Sequence, residues 1–175
     1  PFDWDGADGF QEIMKRGGFD AVIGNPPYRK ELNAKELFRD IRKARYAKYY
    51  QGKMDLWYFF LHKALDVSRK NGVVGFITNS YFLKNTGASK LVNRLHTDAT
   101  MYEYVDFGSL PVFQNVSGKH AVHIYKHSGA KESDKVKVCN VLNILDSSFK
   151  IGSCKQLEYQ NWNVPNSFDT VSHLA

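Results

Sequence analysis

Four consecutive residues, Asn25-Pro26-Pro27-Tyr28, carry the clearest chemical potential in this chain. Two successive prolines hold φ near one value, lack N–H donors and push each preceding residue toward extended geometry. The backbone cannot curl back onto its own acceptors, so the Asn25 side-chain oxygen and the Pro26 carbonyl oxygen are left pointing outward. Tyr28 adds a flat aromatic surface beside them. Two such acceptors suit a planar amine. An amino group on an aromatic base is a poor nucleophile, because its lone pair is delocalised into the ring. Gripping both N–H bonds favours the pyramidal form and stabilises positive charge as a methyl group arrives, a case of preorganised electrostatics. Stacking on Tyr28 would hold the base, at about 1–3 kcal/mol per base. No carboxylate base is needed, because the proton can leave after the transfer. The same four letters can also close a plain surface turn, so their setting decides.

That setting is a strand. Phe19-Asp20-Ala21-Val22-Ile23-Gly24 is a short apolar run after the Gly17-Gly18 turn, and it reads as a buried, central strand that delivers Asn25 at its carboxyl end. Open α/β sheets place their ligands at that edge. Residues 34–50 read as a helix with Leu37, Phe38, Ile41 and Ala44 on one side and cations on the other. Residues 54–69 form a more apolar helix, with Leu56, Phe59, Phe60, Lys63, Ala64 and Val67 sharing a face and Gly72 as the stop. Gly72 to Asn79 is a second buried strand. A helix over 88–97, strands near 101–107 and 121–126, and a weaker strand over 135–141 complete an α/β pattern. From about Asp146 the chain turns polar, with Trp162 and Pro165, and reads as an exit segment over 146–175 after a catalytic unit over 1–145.

Bulk properties bound the rest. A chain of 175 residues, 43% of them hydrophobic, can bury one substantial core. No apolar run reaches the ~18 residues of a membrane helix, and no leader pattern is visible, so a cytoplasmic protein without membrane contact is expected. Cys139 and Cys154 are too few and too isolated for a disulfide framework or a zinc site, and two reduced thiols are expected. His120, His123 and His127 are close in sequence, but on a strand the first two point to opposite faces, so no metal site is expected. His127 is expected to be solvated. The net charge of +6 is concentrated: between Arg29 and Lys53 nine basic residues face three acids, and the remaining chain is neutral. Arg29, Lys30, Lys35, Arg39, Arg42, Lys43, Arg45 and Lys48 are therefore candidate phosphate contacts, or else an ordinary solvated helix face.

The run Phe19 to Tyr28 resembles the catalytic motif of N6-adenine DNA methyltransferases, closest to the large methylases of restriction–modification systems such as the fused type IIG enzymes. The resemblance continues in family order over roughly residues 1–127. It includes Phe2-Asp3-Trp4, then Lys53-Met54-Asp55-Leu56-Trp57-Tyr58-Phe59-Phe60. Gly72-Val73-Val74-Gly75-Phe76-Ile77-Thr78-Asn79-Ser80-Tyr81-Phe82-Leu83 follows, then Val105-Asp106-Phe107-Gly108 and Val112-Phe113-Gln114-Asn115-Val116-Ser117. It implies a flipped-out adenine in double-stranded DNA, methylated at N6 from S-adenosylmethionine. Asn25, Pro26, Pro27 and Tyr28 would be catalytic, and Phe113 would cover the second face of the base. Asn79 and Tyr81 end the second strand and face the same edge, for function or for loop structure.

The resemblance also implies what to miss. No Gly-x-Gly turn for the cofactor is present. The expected fold is therefore the C-terminal half of a Rossmann-like methyltransferase, strands 4 to 7 with flanking helices, and a fragment inactive alone. It would need an N-terminal cofactor half and a C-terminal target-recognition region. An open edge is expected on the first strand, where its neighbour is not encoded. Two other functions fit less of the sequence: a methyltransferase acting on a protein glutamine amide, and a non-catalytic DNA-binding module.

Overall fold

The computed structural model describes residues 3–114, 116, 118–129, 131, 133–145 and 148–158. Phe2, Asn115, Ser117, Trp162 and Pro165 lie outside the described residues. The helices are α1 (Gln11–Lys15), α2 (Lys35–Lys43), α3 (Trp57–Val67) and α4 (Ser89–Asp98). The strands are β1 (Phe19–Gly24), β2 (Ser68–Asn79), β3 (Thr100–Asp106), β4 (His120–Lys126), β5 (Lys135–Leu145) and β6 (Ser148–Glu158). They form one mixed sheet in the order β1-β2-β4-β3-β5-β6. The pairs β1–β2 and β3–β5 are parallel, while β4 runs antiparallel between β2 and β3, and β6 antiparallel to β5.

This topology concentrates chain ends at one edge. Parallel β1 and β2 both finish there, at Gly24 and Asn79. β4 starts there, with His120 directly opposite Asn79. The loop from β3 to β4, which contains Phe113, crosses the same edge.

The main core lies between the sheet and α3 and α4. Val74, Phe76, Ala121 and Tyr125 from the strands meet Trp57, Leu61, Leu65, Leu91 and Leu95 from the helices. α3 is buried on most sides, including Trp57, Tyr58, Phe59 and His62. The amphipathic face expected from sequence is only partly right, since Phe60 stays 44% exposed. The helix also stops at Val67 and enters β2 directly, earlier than the Gly72 stop. Ser68 is extended (ψ 139°), and its hydroxyl bonds the Leu65 carbonyl oxygen and His127. His127 is thus half-buried and held by Ser68, not simply solvated.

The single helix expected over 34–50 is divided. α2 ends at Lys43, Ala44 turns extended (ψ 177°), and Arg45–Tyr49 forms a separate 3-10 turn. Only Phe38 of the expected apolar face is buried. β1 is the edge strand of the sheet, the open edge expected where its neighbour is not encoded, although its apolar run reads as central; Ile23 is 85% exposed. Its apolar residues were the signal for burial, and the open edge beside it is where such a strand would pair.

The sheet also runs further than expected. β6 occupies residues assigned from sequence to the exit segment. Its pattern is broken by Gly152, where a Cβ would meet the Leu142 side chain at 2.7 Å, and by two irregularities in the β5–β6 register. Periodicity could not reveal a strand interrupted in this way. The same pairing puts Cys139 opposite Cys154, and the two form a disulfide. This corrects the expectation of reduced thiols: fifteen residues of separation are cancelled by the hairpin.

Candidate active site at the carboxyl ends of the strands

The loop leaving β1 is tightly placed. Gly24 packs on Phe76, and a Cβ there would lie 2.8 Å from its ring, so only glycine permits the approach. Pro26 is buried, while Asn25 and Pro27 are exposed. Tyr28 is half-buried and donates its hydroxyl to the Ile77 carbonyl oxygen at 3.0 Å. Burial, and secondarily the nearby Asp55 charge, push its pKa up to about 12, so the hydroxyl stays protonated and serves as the donor.

The next residues are laced to the approach to α3. The Arg29 N–H donates to Asp55 Oδ1 at 2.9 Å, the Leu56 N–H to the Arg29 carbonyl at 2.9 Å, and the Glu31 N–H to the Met54 carbonyl at 2.9 Å. Asp55 is 9% exposed. Burial raises its pKa, opposed by the backbone N–H groups of Arg29, Trp57 and Leu56. Asp55 therefore holds the loop in place. The sequence marked it only as part of a motif, and its partner lies 26 residues away.

Two clefts flank the loop and share no lining residue. The first, about 450 Å³, is polar and includes Tyr28, Arg29, Lys30, Asp55, Asn79 and His120. The second, about 340 Å³, is apolar and contains Asn25, Pro26 and Pro27 against Val22, Phe60, Ala64 and Phe76, with Lys63 at its wall. Asn25 and Tyr28 thus belong to one loop but look into different clefts.

The two expected stacking residues meet through a third. His120 touches Tyr28 with ring centroids 5.7 Å apart and Phe113 edge-on at 5.2 Å. His120 is 1% exposed, and its Nδ1 has no hydrogen-bond partner. Burial lowers its pKa and favours the neutral ring, against a hydrogen bond that the ring donates to the Gly118 backbone. Sequence inspection weighed His120 only as a metal ligand. His123 points to the opposite face, against Trp57 and Phe82, and bonds Thr78 Oγ1 at 2.7 Å. Tyr81 is 52% exposed at the same rim.

The eight candidate cations from Arg29 to Lys48 are all exposed. Arg29 and Lys30 line the polar cleft, and the others continue away from it along α2 and the following turn. Several are interleaved with tyrosines: Arg42 lies over Tyr50 (5.3 Å), Arg45 over Tyr46 (5.3 Å) and Lys48 over Tyr49 (4.7 Å). Arg39 pairs loosely with Glu36 at 3.7 Å.

With this geometry in place, residues 1–113 match the model of the Eco57I restriction-modification methylase family. The chain belongs to the Eco57I restriction-modification methylase family. A relative in Escherichia coli, the type II restriction enzyme and methyltransferase RM.Eco57I, is 32% identical over 102 residues, which is 55% of this chain and 10% of that protein. This methylase chain therefore spans a small part of the length of its relative. Among solved structures, the type IIG restriction endonuclease BpuSI aligns with a TM-score of 0.61 at 10% identity, over 92% of this chain and 21% of that one. A class I S-adenosylmethionine-dependent methyltransferase of Listeria monocytogenes aligns with a TM-score of 0.51 at 11% identity, over 70% of this chain and 36% of that one. The fold of this methylase chain is accordingly the Rossmann-like methyltransferase class, with β1, β2, β4 and β3 as adjacent strands.

The described residues of this chain fit S-adenosylmethionine only in part. The apolar cleft beside Asn25 offers ring contacts from Phe60 and Phe76. Among the described residues its lining has no carboxylate for ribose hydroxyls, and Lys63 brings a cation where a sulfonium would need none.

Proposed function

We propose that this chain forms the acceptor side of an N6-adenine DNA methyltransferase. The observation that carries the proposal is the placement of Asn25-Pro26-Pro27-Tyr28 at the carboxyl end of β1, with Tyr28 anchored to the adjacent strand through the Ile77 carbonyl. The Asn25 side-chain oxygen and the Pro26 carbonyl oxygen accept the two N–H bonds of the amine. Tyr28 supports one face of the base and Phe113 closes from the β3–β4 loop. The amine nitrogen would bond the methyl group as the donor's sulfur–methyl bond breaks, its electron pair staying on sulfur, and the amine proton then leaves to water.

The base must leave the duplex to reach this edge, at a cost of a few kcal/mol. The exposed cations from Arg29 to Lys48 hold the flanking phosphates. S-adenosylmethionine, the donor the family resemblance implies, is bound chiefly by residues outside this chain, and target recognition falls to another region of the enzyme. The exposed Ile23 edge of β1 is where the cofactor half pairs.

The full-length enzyme with Asn25→Ala is the test. Methyl transfer to adenine in duplex DNA should vanish while salt-sensitive DNA binding remains. Retained methylation would overturn the catalytic assignment. Transfer to a glutamine peptide instead of adenine would favour the protein-amide function, and DNA binding by a wild-type enzyme without any transfer would favour a binding module.

A further inference from the structure

The 3-10 turn Glu31–Asn33 follows Tyr28 closely and forms a ridge between two hollows. On one slope, Lys30 and Asn33 line the polar cleft together with Tyr28. On the other, Glu31 and Leu32 line a hollow of about 420 Å³ with Lys35, Arg42, Tyr50 and Lys53. Leu32 is 76% exposed.

A single exposed leucine is ordinary on a protein surface. Two observations set this one apart. The ridge beneath it is fixed: the Glu31 N–H donates to the Met54 carbonyl at 2.9 Å, and the Glu31 carboxylate accepts the Met54 N–H at 3.3 Å and the Tyr50 hydroxyl. Lys30 also bridges Asp55 on the approach to α3. The surroundings, in turn, are cationic. Lys35, Arg42 and Lys53 are exposed, and none of the three has an acidic partner among the described residues. Glu31, the carboxylate in that hollow, is taken by Tyr50 and Met54. A rigid apolar tip with unpaired cations behind it complements a polyanion that has an apolar interior, which is what duplex DNA is.

We propose that Leu32 is a wedge: it enters the base stack of double-stranded DNA beside the target adenine, while Lys35, Arg42 and Lys53 hold phosphates on its far side. This rests on the DNA-adenine function above. Apolar side chains inserted at a base step replace the lost stacking contact without bringing a polar group that needs a partner. The extruded nucleotide then lies on the Tyr28 slope of the ridge, and Leu32 keeps the duplex from closing behind it.

The test uses the full-length enzyme with Leu32→Ala. The side chain is exposed, so the variant should keep the wild-type melting temperature. On a fully paired recognition duplex its kcat/KM should fall roughly tenfold, a part of the cost of base flipping. On a duplex whose target adenine faces an abasic site, variant and wild type should be equal, because no pair has to open. With 2-aminopurine at the target position, binding of the wild type should raise the fluorescence and binding of Leu32→Ala should raise it much less. Leu32→Met keeps an apolar tip and should restore both readouts. Replacing Lys35 and Lys53 together by alanine should instead lower the salt slope of binding by about two and leave the paired-to-abasic turnover ratio unchanged.

Equal turnover by wild type and Leu32→Ala on the paired duplex overturns the proposal. So does an equal loss on paired and abasic duplexes, which a structural defect would give. An unchanged salt slope in the lysine variant overturns its phosphate side. The fluorescence rise does not depend on methyl transfer, so a wild type that transfers nothing to adenine refutes the underlying function separately. The wedge then stands if the rise needs Leu32 and falls if it does not.

Discussion

The Tyr28 hydroxyl donates to the Ile77 carbonyl oxygen across 49 residues of sequence, at 3.0 Å. The ring that follows the two prolines is therefore positioned by β2 as much as by its own strand. Tyr28→Phe should keep the stacking surface and lose only this bond, a change of about 1 kcal/mol in stability. Tyr28→Ala should lose stacking as well, about 1–3 kcal/mol in binding of the flipped base. Steady-state kinetics of the full-length variants on an adenine duplex would separate the two, and equal losses would argue against a stacking role.

Acid should destabilise the fold through two buried histidines. Burial brings His123 down to about 3. Burial, and then the charge of Arg94, bring His62 down to about 3. Both are neutral in the folded chain, whereas the unfolded chain protonates them near pH ~6.5. Between these values the unfolded state binds more protons, so stability falls as pH falls from about 6.5 toward 3. The expected slope is roughly 1 kcal/mol per pH unit for each histidine within that window. Melting temperatures at pH 7, 6, 5 and 4 would check it, and a flat profile would contradict the neutral buried state.

Phosphate contacts should be visible in salt dependence. Replacing Arg42, Arg45 and Lys48 together by alanine should lower DNA affinity similarly for all sequences. The slope of log affinity against log salt should fall by about one for each lost phosphate contact. An unchanged slope would make these residues a solvated surface held by Tyr50, Tyr46 and Tyr49.

The Cys139–Cys154 bond should be detectable chemically. Thiol labelling of the folded protein purified without reductant should find both cysteines blocked, and both free after reduction. A bridge closing a loop of this size stabilises by up to about 3 kcal/mol. Reduction should lower the melting temperature and expose the β5–β6 hairpin to protease before the rest of the sheet. Free thiols before reduction would sink this expectation.

Residues 1–175 alone should bind S-adenosylmethionine weakly or not at all and show no turnover. The clefts beside Asn25 and Tyr28 contain Lys63 and Asp55 but no glycine-rich turn. Calorimetry on the isolated chain would decide, and tight binding would overturn the division into donor and acceptor sides.

Much of the site is local and so could be read in order along the chain. The apolar run Phe19 to Gly24, the two prolines and Tyr28 are neighbours in sequence, and their backbone restrictions act over one or two residues. The same holds for the cationic stretch and for the strand ending at Asn79. Those signals identified the strand–loop motif, the family resemblance and the α/β order of elements. They failed where a neighbour from elsewhere overrides local preference. Ala44 breaks a helix that periodicity would continue, and Gly152 with the β5–β6 irregularities hides a strand whose pairing is set by its partner. Phe60 was assigned inward by spacing, although α3 is packed on nearly every other side.

The sequence by itself determined the acceptors of Asn25-Pro26, the aromatic Tyr28 and the charge beside them, because these follow from covalent geometry and composition. Only the tertiary structure decided which distant groups meet them. The insertion of β4 between β2 and β3 brings His120 opposite Asn79 and between Tyr28 and Phe113. The hairpin joins Cys139 to Cys154. The lacing of the loop after Tyr28 to the approach to α3 buries Asp55 under Arg29. Each of these depends on strand order and register, which are set by the packing of the whole sheet against α3 and α4 and not by any stretch of residues alone.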